Sequence, residues 1–219
     1  MGILFVIKFG GAAILRFYVE SGIGNCQEIP IICMAPKEEI NSPQINEEYI
    51  TGLLPYRFPT FTISLPKGFI VVHATIKKVY FKKANRPYAS PTIYLLHQKP
   101  NFFINLFPQL TKQGIKDDYE FIRRTMFAEL KDIKNLTDAF FVIMKSIFIP
   151  DLGSQTNVKM IQFAMPGERG FINYNLTNQD SYFDCNIINS RGDFFKIYIK
   201  DKGSTLDLYK LFAIISTVE

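Results

Sequence analysis

Tryptophan is absent from the chain, histidine occurs twice and cysteine three times. With only His73 and His97 to draw on, a metal centre would need carboxylates or Cys185 to converge on them, and nothing in the spacing brings them together. No glycine-rich phosphate loop or dinucleotide fingerprint occurs, since Lys202-Gly203-Ser204 lacks the preceding glycines. No internal repeat is present, and no triad or dyad stands out. The chain is therefore not expected to be an enzyme, and no cofactor or metal is expected. A long uncharged apolar run is also missing: the most apolar stretch, Met1 to Val19, is broken by Lys8 and Arg16.

What is present is a chain rich in phenylalanine. Its 219 residues are 47% hydrophobic and include 21 Phe, which argues against global disorder and makes Phe the main packing residue. The net charge of +5 permits contact with acidic partners or anionic headgroups without implying nucleic acid.

Residues 1–20 read as a single transmembrane anchor helix. As a helix, Gly2 to Val19 spans about 26 Å, slightly under the hydrocarbon thickness of a bilayer. Lys8 and Arg16 fall on one face of that helix, and Gly10, Gly11, Ala12 and Ala13 form a small-residue patch where another backbone could approach. Lys8, Gly10, Gly11, Ala13 and Arg16 are the expected membrane or partner contacts. Two other readings stay open: a cleaved secretory signal, which lacks the usual basic start, and a buried or amphipathic helix of a globular fold.

Residues 21–57 read as an extended connector punctuated by Gly22, Gly24, Pro30, Pro36, Pro43 and Pro55. Cys26 and Cys33 stand seven apart just beyond the apolar stretch. They form either a disulfide, which needs an oxidising compartment, or two free thiols.

Residues 58–219 read as an α/β domain. Phe61, Ile63 and Leu65 alternate with Thr62 and Ser64, Val79 and Phe81 with Lys78, Tyr80 and Lys82, and Phe183, Cys185 and Ile187 share an inward face. Phe195, Ile197 and Ile199 also point inward, with Lys196, Tyr198 and Lys200 outward. Tyr119, Ile122, Met126, Leu130 and Ile133 form one helical stripe, a second helix covers 136–149 and is read as buried, and a final helix starts at a Ser204 or Thr205 cap. Residues 100–114 read as an aromatic loop.

Three features resemble the PsbP-like family: the phrase Phe61-Thr62-Ile63-Ser64-Leu65-Pro66-Lys67-Gly68-Phe69, the late hairpin around Arg191-Gly192-Asp193, and the closing helix Leu211 to Thr217. The resemblance covers roughly residues 58–219 and departs from the family at Phe69, where members often carry Trp. It implies an antiparallel-sheet α/β/α sandwich that serves as an accessory or assembly subunit, and it assigns no site residues.

Lys77, Lys78, Lys82, Lys83 and Arg86, with Tyr80 and Phe81 between them, form the strongest basic cluster. It reads as an edge hairpin guarded by lysines, as a contact for headgroups or a partner, or as a nucleic-acid surface. Arg191-Gly192-Asp193 spells an adhesion tripeptide, but these are the residues that the tip of a hairpin asks for, and it is read as a turn. The expected fold is thus α+β, a single-pass membrane helix followed by the sandwich. The expected role is a structural accessory subunit in the membrane, with the domain on the periplasmic side. Its partners would be integral membrane protein subunits and lipid, with no nucleic acid and no small-molecule ligand. The alternative is a tethered small-ligand or lipoprotein-type module whose pocket is lined by Phe102, Phe103, Phe107 and Phe140.

Overall fold

The computed structural model describes residues 12–21, 30–84, 92–152, 157–177, 180–202 and 205–219. Helix α1 (12–21) and a 3-10 turn, Pro30–Cys33, lead into strand β1 (Glu38–Asn41) and helix α2 (Glu47–Thr51). Strands β2 (Leu54–Arg57), β3 (Thr62–Leu65), β4 (Phe69–Ala74), β5 (Lys78–Lys83) and β6 (Thr92–Gln98) follow. Helices α3 (Phe102–Leu106), α4 (Asp118–Phe127) and α5 (Leu136–Phe148) come next, then strands β7 (Lys159–Met165), β8 (Glu168–Leu176), β9 (Asp180–Asn189) and β10 (Phe194–Lys202), and helix α6 (Leu208–Ile215).

Eight strands form one sheet in the order β1-β7-β8-β9-β10-β6-β5-β4, and β2 pairs with β3 in a separate ladder. The sheet is mixed, not purely antiparallel as expected, because β1 runs parallel to β7 with Glu38 opposite Ile161. The loop expected at 100–114 contains α3 and a 3-10 turn, Pro108–Gln113. Buried Asp118 makes that possible by accepting from the Phe102, Phe103 and Ile104 amides, the donors that the start of a helix leaves unpaired. The final helix is capped by Asp207, which accepts from the Lys210 amide, and not by Ser204 or Thr205.

Period-two alternation divides the buried residues between the two faces of the sheet. On the first face Val79, Phe81, Leu95, Phe183, Cys185, Phe195 and Ile197 meet the β2–β3 ladder and α6. The C-terminal tail closes that side: Thr62 and Glu219 exchange two backbone hydrogen bonds, and Thr217 Oγ1 accepts from the Ser64 amide. On the second face α1, α3, α4 and α5 pack over Met160, Phe171, Ile188 and Phe194. Strands β8 and β9 approach closely at Gly170, where a Cβ would lie 2.0 Å from the Asn186 carbonyl oxygen.

Under the helices of the second face the strands carry a polar seam. Asp184 is fully buried, and its Oδ1 receives the Lys196 ammonium as an ion pair at 2.7 Å. Asn173 and Asn186 donate to Asp184 Oδ2, and Lys196 also donates to the Phe148 carbonyl at the end of α5. Lys196 was expected to point to solvent. It does lie on the opposite face from Ile197, but α5 covers that face here. A second lysine is buried in α5 itself: Lys145 donates to the carbonyls of Met34 and Ala128, and burial brings its pKa down to about 7.

The N-terminal membrane anchor is not found among the described residues. Among the described residues no helix is long and apolar enough to cross a membrane. The single-pass topology, and the membrane location with a periplasmic domain, therefore lose their support. The described part of the stretch, α1, lies on the domain: Val19 is buried, Leu15 packs on the second core, and Arg16 Nε donates to the Ile133 carbonyl at 3.1 Å. Apolar content and a one-sided pair of charges describe a helix facing a protein core as well as one facing lipid, and hydropathy does not separate the two.

Candidate interaction surface

Strand β4 is the last strand of the large sheet, and among the described residues it pairs only with β5. After buried Phe69 it turns apolar groups outward: Ile70, Val71 and Val72 are 42%, 40% and 48% exposed, and Ile76 at the hairpin turn is 65% exposed. The register shifts between Val71 and His73, a bulge that blunts a bare edge. An edge strand still offers unpaired N–H and C=O groups to another chain.

Cross-strand register extends this edge into a platform on the sheet's second face. His73 lies opposite Tyr80, Tyr80 opposite Tyr94, and Tyr94 opposite Tyr198, a row across four strands. The Tyr80 and Tyr94 rings lie 4.8 Å apart. Burial raises the Tyr94 pKa and pushes that of Tyr198 up to about 12, so both remain neutral phenols. Lysine rows flank the tyrosines: Lys78 and Lys196 on either side of Leu96, and Lys82 and Lys200 on either side of Thr92.

The charge of this region has a signal in the sequence that the cluster of lysines alone does not convey. Residues 49–116 contain ten Lys and Arg and no Asp or Glu. That stretch carries +10, while the rest, with fifteen basic and twenty acidic residues, carries −5. Strands β2 to β6 all lie within it. The opposite edge of the sheet, β1, presents Glu38 and Glu39.

The hairpin is docked by a buried hydrogen-bonded group. The Thr60 hydroxyl donates to the Ile76 carbonyl, and the His97 amide donates to the Lys77 carbonyl. The His97 ring reaches Thr60 Oγ1 through Nδ1 at 3.0 Å and Asp193 Oδ1 through Nε2 at 3.3 Å, stacked on Phe195. Burial works to raise the Asp193 pKa, but hydrogen bonds from Asn189, His97 and Arg191 outweigh it and hold the carboxyl below its ordinary range. Asp193 is buried and paired with Arg191 and His97, so the Arg191-Gly192-Asp193 tip is folded onto the protein and not presented as an adhesion loop.

Among the candidates from sequence, Lys77, Lys78, Lys82 and Lys83 converge on this hairpin, and Arg86 lies outside the described residues. Ala13 is exposed on α1 and Arg16 is spent on Ile133, while Lys8, Gly10 and Gly11 lie outside the described residues. Cys33 is disulfide-bonded, Cys26 lies outside the described residues, and Cys185 is a buried free thiol whose pKa is raised by burial. Phe102, Phe103, Phe107 and Phe140 pack in an aromatic cluster, Phe102 edge-on against Phe103. Phe103 and Phe107 stack on Phe121 with centroids 4.6 and 5.8 Å away, and Phe140 packs edge-on against Phe107. Among the described residues no group of His, Cys, Asp and Glu is placed to hold a metal ion.

No family model and no curated protein matches the chain. A solved structure of a protein from Bacteroides thetaiotaomicron VPI-5482 is similar at a TM-score of 0.34 and 6% identity, over 73% of this chain and 44% of that one. The chain spans less than half the length of that protein, and a likeness at this level carries no inference about fold or function.

Proposed function

We propose that the chain is an accessory binding module that docks an acidic protein partner, which adds an extended strand to β4. The observation that carries this reading is the exposed run Ile70, Val71 and Val72 on an edge strand, set among lysines in a stretch without carboxylates. Backbone pairing would supply affinity, alternate side chains would meet Ile70 and Val72, and the lysines would select acidic sequences and speed encounter. Exposed β-branched aliphatics favour a protein strand over single-stranded nucleic acid, which is bound by aromatic stacking along a basic groove.

The test uses a synthetic peptide of about eight residues alternating Glu with Val or Ile. It is expected to bind the full chain, to weaken as salt rises, and to lose about tenfold in affinity when Lys77, Lys78, Lys82 and Lys83 are all changed to Gln. Methylating alternate backbone nitrogens of the peptide should abolish binding, because strand addition needs those groups. Equal binding of the methylated peptide, or tighter binding of oligothymidylate to the same hairpin, overturns the reading. So does dimerisation of the chain that vanishes in Val72→Lys, which would make a second copy the occupant.

A further inference from the structure

A cavity of about 230 Å³ opens on the first face of the sheet, beneath α6 and beside the root of the β4–β5 hairpin. Its floor is apolar: Phe69, Ile93, Ile199, Leu206 and Ile214, each almost fully buried. Its rim is polar, with Tyr49, Lys83 and Lys210 around the opening. We propose that this cavity binds a small amphipathic anion, an aliphatic carboxylate whose chain fills the apolar floor and whose head meets Lys83.

The polar groups on the rim differ in how far they are already committed. Asp201 is buried and accepts through Oδ2 from the amides of Thr205 and Leu206 and from the Thr205 hydroxyl, so that oxygen shapes the lip. Lys210 donates to the Thr205 carbonyl and sits 3.6 Å from Asp207. Among the described residues Lys83 has no ion pair, its ammonium lying 6.0 Å from the centre of the Phe69 ring. The Tyr49 hydroxyl makes no hydrogen bond among the described residues, and burial, with Asp207 and Asp201 nearby, raises its pKa, so it stays a donor. An ammonium without an ion pair and a phenol without a hydrogen bond among the described residues, set over an apolar floor, are complementary to a carboxylate on a hydrocarbon tail. The volume lies below the roughly 300 Å³ at which drug-sized sites begin, which limits the ligand to roughly six to eight carbons.

This inference does not rest on strand addition at β4 and is tested apart from it, by titrating the full chain with octanoate. Saturable binding is expected, with methyl resonances of Ile93, Ile199 and Ile214 shifting together. Lys83→Gln, a change at a half-buried rim position, should weaken octanoate about tenfold. Leu206→Trp, which fills the cavity, should abolish binding, and its thermal unfolding shows whether it folded. Octan-1-ol should bind more weakly than octanoate in the wild type. Absence of saturable shifts in the folded wild type overturns the site. Equal binding of octanol and octanoate, with Lys83→Gln without effect, overturns its anion selectivity.

Discussion

The middle of the large sheet and its β4–β5 end are built differently. Across the central strands β8, β9 and β10 both faces are covered, and even the polar groups are enclosed: Asp184, Asn173, Asn186 and Lys196 meet one another under α4 and α5. At the β4–β5 end the cover is incomplete, and every residue of β4 after Phe69 is exposed. Phe81 and Val79 are buried, while Ile70, Val71, Val72 and Tyr80 stay exposed. Charge and greasiness therefore sit where simple rules would not put them, with polar residues sealed inside the middle of the sheet and apolar ones left outside at its β4 edge. Polar groups can be buried where they satisfy one another, and the exposed apolar edge is the surface that the proposed partner strand would cover.

The sharpest way to break this contrast is to remove a charge from the enclosed middle of the sheet. Asp184→Ala leaves the Lys196 ammonium facing a buried void, and a loss of about 3–5 kcal/mol in urea-unfolding stability is expected. The double variant Asp184→Leu with Lys196→Met should recover much of that loss, because a buried pair is replaced by apolar volume. If Asp184→Ala costs less than about 1 kcal/mol, the seam is not a clamp.

A smaller effect, and one with a pH signature, comes from Lys145. Its folded pKa of about 7 lies below the ordinary lysine value of 10.5, so between those limits the unfolded chain binds more protons than the native one. Stability should therefore rise with pH from about 7 towards 10.5, by at most about 1.4 kcal/mol per pH unit for one proton. Below about 7 both states carry the charge and the contribution is flat. Lys145→Met should remove that rise, which chemical unfolding at a series of pH values measures. An unchanged slope in the variant would assign it to another group.

The smallest effect belongs to the open end. Ile70→Lys combined with Val72→Lys should change unfolding stability by no more than about 0.5 kcal/mol, since neither side chain is buried. A loss near that of Asp184→Ala would show that β4 holds the fold together and is not a free edge.

Most strands were readable in advance, because Val79 and Phe81, or Phe183, Cys185 and Ile187, repeat every second residue and a strand has the same period. The hairpin of lysines was readable too, as a cluster in the chain. Its setting was not: the absence of carboxylates from residue 49 to residue 116 marks nearly a third of the chain, and a local motif does not report it. Strand β1 carries only Ile40 as an apolar residue in Glu38–Asn41, so periodicity could not place it, and its parallel pairing is a long-range event. The misreading of α1 has the same source. Leu15, Val19 and Arg16 look alike in sequence whether they meet lipid or the second core.

By itself, the order of residues determined which segments extend, which of their faces are apolar and where the basic charge accumulates, because backbone geometry and side-chain period are local properties. Only the tertiary structure decided what each face meets. It placed Lys196 and Lys145 under helices, laid Arg16 on the Ile133 carbonyl and left β4 bare, because burial depends on which distant elements pack over a surface.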